Sequence, residues 1–199
     1  MDDLTTRAKL ASRIGADIGE HAAALEALTA IGDSIADAAE LLIASAKAGG
    51  TLLICGNGGS AADAQHIAAE YVGRFLRERD PMPALALSTN SSAVTAIGND
   101  YGFVNVFERQ VRAHVRPGDV VLGLSTSGDS PNVVLALEAA KARGAKTIAL
   151  VGPRGGAIAQ AGDVAVLAPG VATPRVQEMH ILIGHIWCGL VEEHACAKP

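Results

Sequence analysis

The sequence predicts an α/β domain, a parallel β-sheet flanked by helices on both faces, with helices ahead of the first strand. From Thr51 onward short apolar runs alternate with helical stretches, the pattern of parallel strands joined by crossover helices. Several of those runs lead directly into turns rich in Gly, Ser, Thr or Asn, and an open parallel sheet binds ligands at such strand ends. At 199 residues and 49% hydrophobic content the chain suits one domain with an ample core. Its parts are a helical region over about residues 1–48 and an α/β core over about 49–199.

The alanine-rich N-terminal quarter predicts a long helix from about Ala22 to Ala48, stopped by Gly49-Gly50. Thr51 to Cys55 reads as the first buried strand, and Gly58-Gly59 gives the backbone freedom for a sharp turn into a helix from Ala61 to Phe75, with Ser60 as N-cap. Further strands are expected at Ala84–Leu87, Val120–Leu124, Thr147–Val151 and Val164–Val166. Between and after them come helices at Ala93–Ile97, Phe107–Ala113, Asn132–Arg143 and Arg175–Ala195. Gly152 to Gly156 reads as a loop with a solvated Arg154.

The charge balance excludes some functions. Sixteen Lys+Arg, scattered among 21 Asp+Glu for a net charge of −5, leave no footprint for nucleic acid, so an anionic substrate needs local donors. The acidic start, Met1 to Thr6, lacks the basic and apolar regions of a signal peptide, which predicts a cytoplasmic protein. The apolar stretch Ile181–Val191 is interrupted by His185 and falls short of the roughly 18 residues of a membrane span. It reads as a buried helix, and no membrane partner is expected. Three cysteines without CxxC spacing argue against a disulfide framework or a thiolate zinc site, leaving Cys55 and Cys188 as small core residues.

The segment Gly56-Asn57-Gly58-Gly59-Ser60 opens a helix whose N–H groups and partial positive charge suit a phosphate or carboxylate. On that helix His66 and Glu70 stand at i and i+4, hence on one face. Alone they would read as a solvated pair, but Ala61, Ala62, Ala64, Ala68 and Ala69 crowd them and point to close approach of another surface. A second turn, Ser125-Thr126-Ser127-Gly128-Asp129-Ser130, gathers four hydroxyls after a Val-rich strand. Such hydroxyls and backbone N–H groups can wrap a phosphate monoester without Lys or Arg; the alternative is a serine-rich helix cap. The last helix carries Gln177, Glu178, His180 and His185 among apolar residues, and spacing alone leaves open whether Gln177 or Glu178 accompanies His185 into a site. With His66 and Glu70 these offer nitrogen and oxygen ligands suited to zinc.

Taken together, Gly56 to His66 with Glu70, Ala96-Ile97-Gly98-Asn99-Asp100-Tyr101-Gly102, Ser125 to Gly128 with Ser130 and Asn132, and Gln177-Glu178 with His180 and His185 closely resemble the phosphoheptose isomerases of the sugar isomerase (SIS) domain family. The resemblance covers nearly the whole chain and is weakest in the first 45 residues. It implies a single SIS domain that isomerises sedoheptulose 7-phosphate to D-glycero-D-manno-heptose 7-phosphate, the first step toward nucleotide-activated heptose, and a homotetramer with active sites at subunit interfaces. Matched by position, it implies that His66, Glu70, Gln177 and His185 hold one Zn²⁺ per subunit, favouring Gln177 over Glu178. It places Asn57, Gly58, Gly59, Glu70, Asn99, Asp100, Ser125, Thr126, Ser127, Ser130 and Gln177 against the sugar phosphate. Pro174 stands where some members have an aspartate, and that position takes no role.

The implied reaction passes through a cis-enediol. Glu70 is the candidate base, because a carboxylate becomes more basic where small residues exclude water, and His185 the acid/base partner on the oxygens. The alternatives are a non-catalytic SIS protein that associates with a replication initiator, which has no need to keep Glu70 with His185, and an isomerase for another phosphosugar.

Overall fold

A computed structural model describes residues 2–195 of the chain, with side chains from residue 6; Cys196 lies outside the described residues. Five parallel strands run in the order β2-β1-β3-β4-β5: β1 (Leu52–Gly56), β2 (Ala84–Ala86), β3 (Val120–Ser125), β4 (Lys146–Val151) and β5 (Val164–Leu167). Register pairs Leu52 with Val120 at one end of β1 and Gly56 with Leu124 at the other. Because side chains alternate across a strand, Leu52 and Ile54 pack on one face while Leu53 and Cys55 pack on the other. Both faces are covered, so the strands read as continuous apolar runs rather than alternating ones.

The first face is covered by α2 (Gly32–Lys47), α3 (Gly59–Val72) and α8 (Thr173–Ala195), with the end of α1 (Asp2–Leu28) packed at its margin. Trp187 on α8 is buried and donates its indole N–H to the carbonyl of Ile35 on α2 at 2.9 Å. The second face carries α4 (Ser91–Tyr101), α5 (Glu108–His114), α6 (Pro131–Ala142) and α7 (Gly156–Ala161).

The single N-terminal helix expected over 22–48 is instead two, joined by a 3₁₀ turn at Thr29–Ile31. There the Thr29 hydroxyl bonds back to the Glu26 carbonyl and a poor helix former, Gly32, follows. Helix α3 stops at Val72 rather than Phe75, because tertiary bonds from Glu192 and Arg79 claim the next segment. Helix α7, six residues long and opening at Gly155-Gly156, is too short for its pattern to show in the sequence. Cys55 and Cys188 are core residues, and Arg154 is exposed. Among the described residues no helix is long and apolar enough to cross a membrane.

Candidate active site

Strand order reverses between β1 and β3, and the turns that leave these two strands converge at their carboxyl ends, where ligands bind in such sheets. Gly58 caps α3 with φ +56°, a conformation that favours glycine. The expected cap, Ser60, lies inside the helix and is buried; no side chain caps α3. Gly59 lies against the Gln177 amide, which a Cβ at that position would displace. Asn57 and Asn132 join the two turns by a reciprocal amide pair, each Nδ2 donating to the other's Oδ1 at 2.9 Å.

The hydroxyl turn is built around Ser125, whose Oγ lies 3.3 Å from Ser127 Oγ and 3.2 Å from Ser130 Oγ and accepts from the Gly128 N–H at 3.2 Å. Ser130 occupies the cap position of α6 but makes no capping bond; its hydroxyl turns toward Ser125. The turn is therefore not a plain side-chain helix cap. Thr126 follows on the same turn, and its carbonyl packs against Gly152. Asn99 and Asp100 sit at the exposed end of α4, with Asn99 Nδ2 donating to Asp100 Oδ1 at 2.8 Å. Beyond them Phe103 and Val104 line a cavity of about 250 Å³ together with Asn57, Ser130 and Asn132.

The second cluster lies further along α3. His66 Nε2 is 3.2 Å from Glu70 Oε1 and 3.1 Å from His185 Nε2, so one helical pair and one distant histidine share a point on the surface. The His66 side chain is 48% exposed and that of Glu70 24%, so a single subunit does not enclose them. Phe75 stacks on the His185 ring with centroids 5.5 Å apart.

Helices α3 and α8 run side by side in the same direction, with Gln177 against Gly59 and Gly184 against Ile67. Gln177 therefore lies at the turn where α3 begins, eight residues and about 12 Å of helix rise from His185. Glu178 is committed elsewhere, to His21 Nδ1 at 2.7 Å and Arg175 Nη2 at 2.8 Å. Geometry thus removes Glu178 as the companion of His185, without bringing Gln177 into the His66–Glu70–His185 cluster.

Burial shifts two further titratable groups, Asp63 and His180, and the sequence reading gave neither a role of its own. Burial raises Asp63, one turn before His66, to about 6 against the opposing charge of His66, and its Oδ2 has no hydrogen-bond partner. His180 is wholly buried, and burial lowers it to about 4 with the Val151 backbone opposing. Nothing local in the sequence marks Asp63 as enclosed, whereas His180 stands among apolar residues of the last helix.

The triad's donor set fits a small N/O-liganded cation. His66, Glu70 and His185 each present one ligand atom within 4.8 Å of the others. Zinc–nitrogen bonds of about 2.0–2.1 Å at tetrahedral angles place neighbouring ligand atoms about 3.3 Å apart, against the 3.1 and 3.2 Å found here.

The fold and these two clusters define a doubly wound α/β domain with a hydroxyl-rich turn at its switch point and a His/Glu cluster on the helix that starts there. The SIS domain family model matches residues 18–152. Over 164 residues the chain is 55% identical to the phosphoheptose isomerase of Rhodospirillum rubrum, covering 82% of this chain and 87% of that one. Over 186 residues it is 52% identical to that of Citrifermentans bemidjiense, covering 93% and 97%. A solved phosphoheptose isomerase from Neisseria gonorrhoeae superposes with a TM-score of 0.87 at 45% identity, covering 92% of this chain and 99% of the other. The chain belongs to the phosphoheptose isomerases of the SIS domain family.

Proposed function

We propose that the chain interconverts sedoheptulose 7-phosphate and D-glycero-D-manno-heptose 7-phosphate by moving a proton between C1 and C2 through a cis-enediol. The observation that carries the mechanism is the convergence of Glu70 and His185 on His66, within hydrogen-bond distance, in a chain so similar to phosphoheptose isomerases. Glu70 takes the proton from one carbon and returns it to the other. His185 serves the oxygens, donating to the one that gains charge and accepting from the one that becomes a carbonyl.

The Ser125, Thr126, Ser127 and Ser130 cradle holds the distal phosphate, with Asn57, Gly58, Gly59 and Gln177 beside it and Asn99 and Asp100 at the lip. Binding energy gathered there positions carbons that the phosphate does not touch. His66, Glu70 and His185 would hold a Zn²⁺, with Gln177 as the fourth residue that the family resemblance implies. Bound there, the ion supplies Lewis acidity that steadies negative charge on the sugar oxygens.

An enediol must be shielded from water, and half-exposed His66 needs a cover. A second copy of the chain supplies it in our reading, within a cytoplasmic homotetramer whose active sites lie at subunit interfaces. The apolar run of α8 is not the free surface for this, since Ile183, Trp187, Cys188 and Val191 are buried within the subunit. Leu10, Ile14, Ile18 and Leu25 of α1 are 44–63% exposed and offer an apolar stripe instead.

Glu70→Gln tests the reading, because it keeps size and removes the base. The variant is expected to fold and bind the sugar phosphate while losing both aldose formation and deuterium uptake from D₂O. Turnover at the wild-type rate would exclude Glu70 as the base.

A further inference from the structure

The segment that leaves α3, residues 73–80, wraps around a single carboxylate. Glu192, two turns beyond His185 on α8 and 2% exposed, accepts the N–H of Phe75 on Oε1 at 2.7 Å. Its Oε2 accepts the N–H groups of Leu76 and Arg77 at 2.9 and 3.0 Å. Arg79 Nε donates to Oε1 at 3.1 Å, and the same guanidinium reaches the α3 carbonyls of Tyr71 at 2.8 Å and Glu70 at 2.6 Å. A buried ion pair is tolerated when its remaining donors and acceptors are filled, and here Arg79 and Glu192 fill theirs with backbone. Desolvation pushes Glu192 up, yet the N–H groups of Leu76, Phe75 and Arg77 and the charge of Arg79 outweigh it and hold the carboxyl below its ordinary range.

This arrangement reaches the site through one ring. The Phe75 N–H makes the shortest bond to Glu192, and its side chain lies over His185 with rings 23° from parallel. The ring also faces α8 one turn on, at Gly189, where an added Cβ would meet Phe75 Cε1 at 3.7 Å. His66 meets the same imidazole edge-on, with centroids 5.0 Å apart. Glu192 touches none of the reactive groups itself.

We propose that Glu192 is a positioning residue of the active site: it folds the 73–80 segment so that Phe75 stacks on His185 and aims His185 Nε2 toward His66 and Glu70. This rests on the assignment of His185 to the site made above. A loop staple with no bearing on the site would use the same bonds to Glu192, so the test must read His185.

Phe75→Leu leaves every backbone bond to Glu192 available and removes the ring; Phe75→Tyr keeps the ring. The expected result is a kcat about tenfold lower in Phe75→Leu with KM within about twofold, and near-normal kcat in Phe75→Tyr. The imidazole resonances of His185, assigned by their loss in His185→Gln, should move in Phe75→Leu and stay in Phe75→Tyr. Glu192→Asp, which keeps the charge but withdraws the carboxylate by one methylene, should move them as Phe75→Leu does. Glu192→Asp should add no further loss of kcat to Phe75→Leu, because both act along one path. Unmoved His185 resonances in folded Phe75→Leu, or two kcat losses that multiply, would overturn the proposal. Should Glu192→Asp fail to fold, the two Phe75 variants still decide whether the ring positions His185. A folded wild-type protein without isomerase activity would defeat the functional reading, while the resonance test would still report on the packing.

Discussion

His180 makes the acid stability of this protein open to calculation. Its imidazole is wholly buried on α8, neither ring nitrogen makes a well-formed hydrogen bond, and the Val151 backbone gives it only partial support. Protonating it in place would bury a poorly compensated charge, so burial, against the opposing Val151 backbone, lowers its pKa from 6.5 to about 4. The unfolded chain then binds the proton more tightly than the folded one, and stability falls as pH drops from the unfolded value toward the folded one. The full stability contribution is present above about pH 6.5 and lost by about pH 4. The drop from 6.5 to about 4 is worth roughly 3 kcal/mol, most of which is lost between pH 7 and pH 4.5. That is a large part of the roughly 5–15 kcal/mol that holds a domain folded. His180→Leu keeps an apolar side chain in the space and removes the titration. In urea unfolding at equal protein concentration, the variant should lose about 2 kcal/mol less than wild type between pH 7 and pH 4.5. All other titrating groups cancel in that difference. Equal losses in the two proteins would show that His180 is not charged on unfolding against a buried neutral state, and the argument would fail.

Other outcomes follow from the two clusters and the core. Ser125→Ala with Ser127→Ala should weaken binding of the sugar phosphate by about 1.5–3 kcal/mol for each hydrogen bond lost to the charged group, measured by calorimetry; unchanged affinity would remove the turn from the site. Purified protein should carry near-stoichiometric zinc by elemental analysis and lose activity on chelation, and His185→Ala should bind the metal at least about tenfold more weakly; full activity in rigorously metal-free protein would leave the triad to acid/base work alone. Burial pushes the Cys55 and Cys188 thiols up to about 12, so neither should react with a thiol reagent near pH 8 until the chain is unfolded; rapid native labelling of either, located by mass spectrometry, would contradict their burial.

The fold was legible because its signals are local and repeated. The central strands β1 and β3 are buried on both faces, so Leu52-Leu53-Ile54-Cys55 and Val120-Val121-Leu122 are continuous apolar runs that no solvent-facing position interrupts. Each leads into a turn whose composition declares it. The break between α1 and α2 was not legible, because Thr29-Ala30-Ile31-Gly32 fits a continuous helical pattern nearly as well as a turn. The hydroxyl turn and the His66–Glu70 pair could be found because their members lie within six residues of one another, close enough for strand-end and helix geometry to fix their relations.

What escaped the sequence is whatever depends on separation along the chain. Spacing left open whether Gln177 or Glu178 accompanies His185, and the bonds of Glu178 to His21 of α1, 157 residues away in sequence, and to Arg175 take it out of contention. Glu192 shows the same limit more sharply. In the sequence it is one of two adjacent acids near the end of an amphipathic helix, where exposure is the ordinary reading of a charged residue. It is buried because the chain must turn sharply after α3, and that turn exposes three consecutive backbone N–H groups to one side. Those donors need an acceptor, and a carboxylate supplied from α8, with Arg79 to balance its charge, satisfies all three together. The requirement belongs to the backbone of residues 75–77 rather than to their side chains, which is why no residue pattern there announces it. The same turn sets Phe75 on His185, so in the proposed site the orientation of this imidazole depends on a hydrogen-bonding demand written elsewhere in the chain.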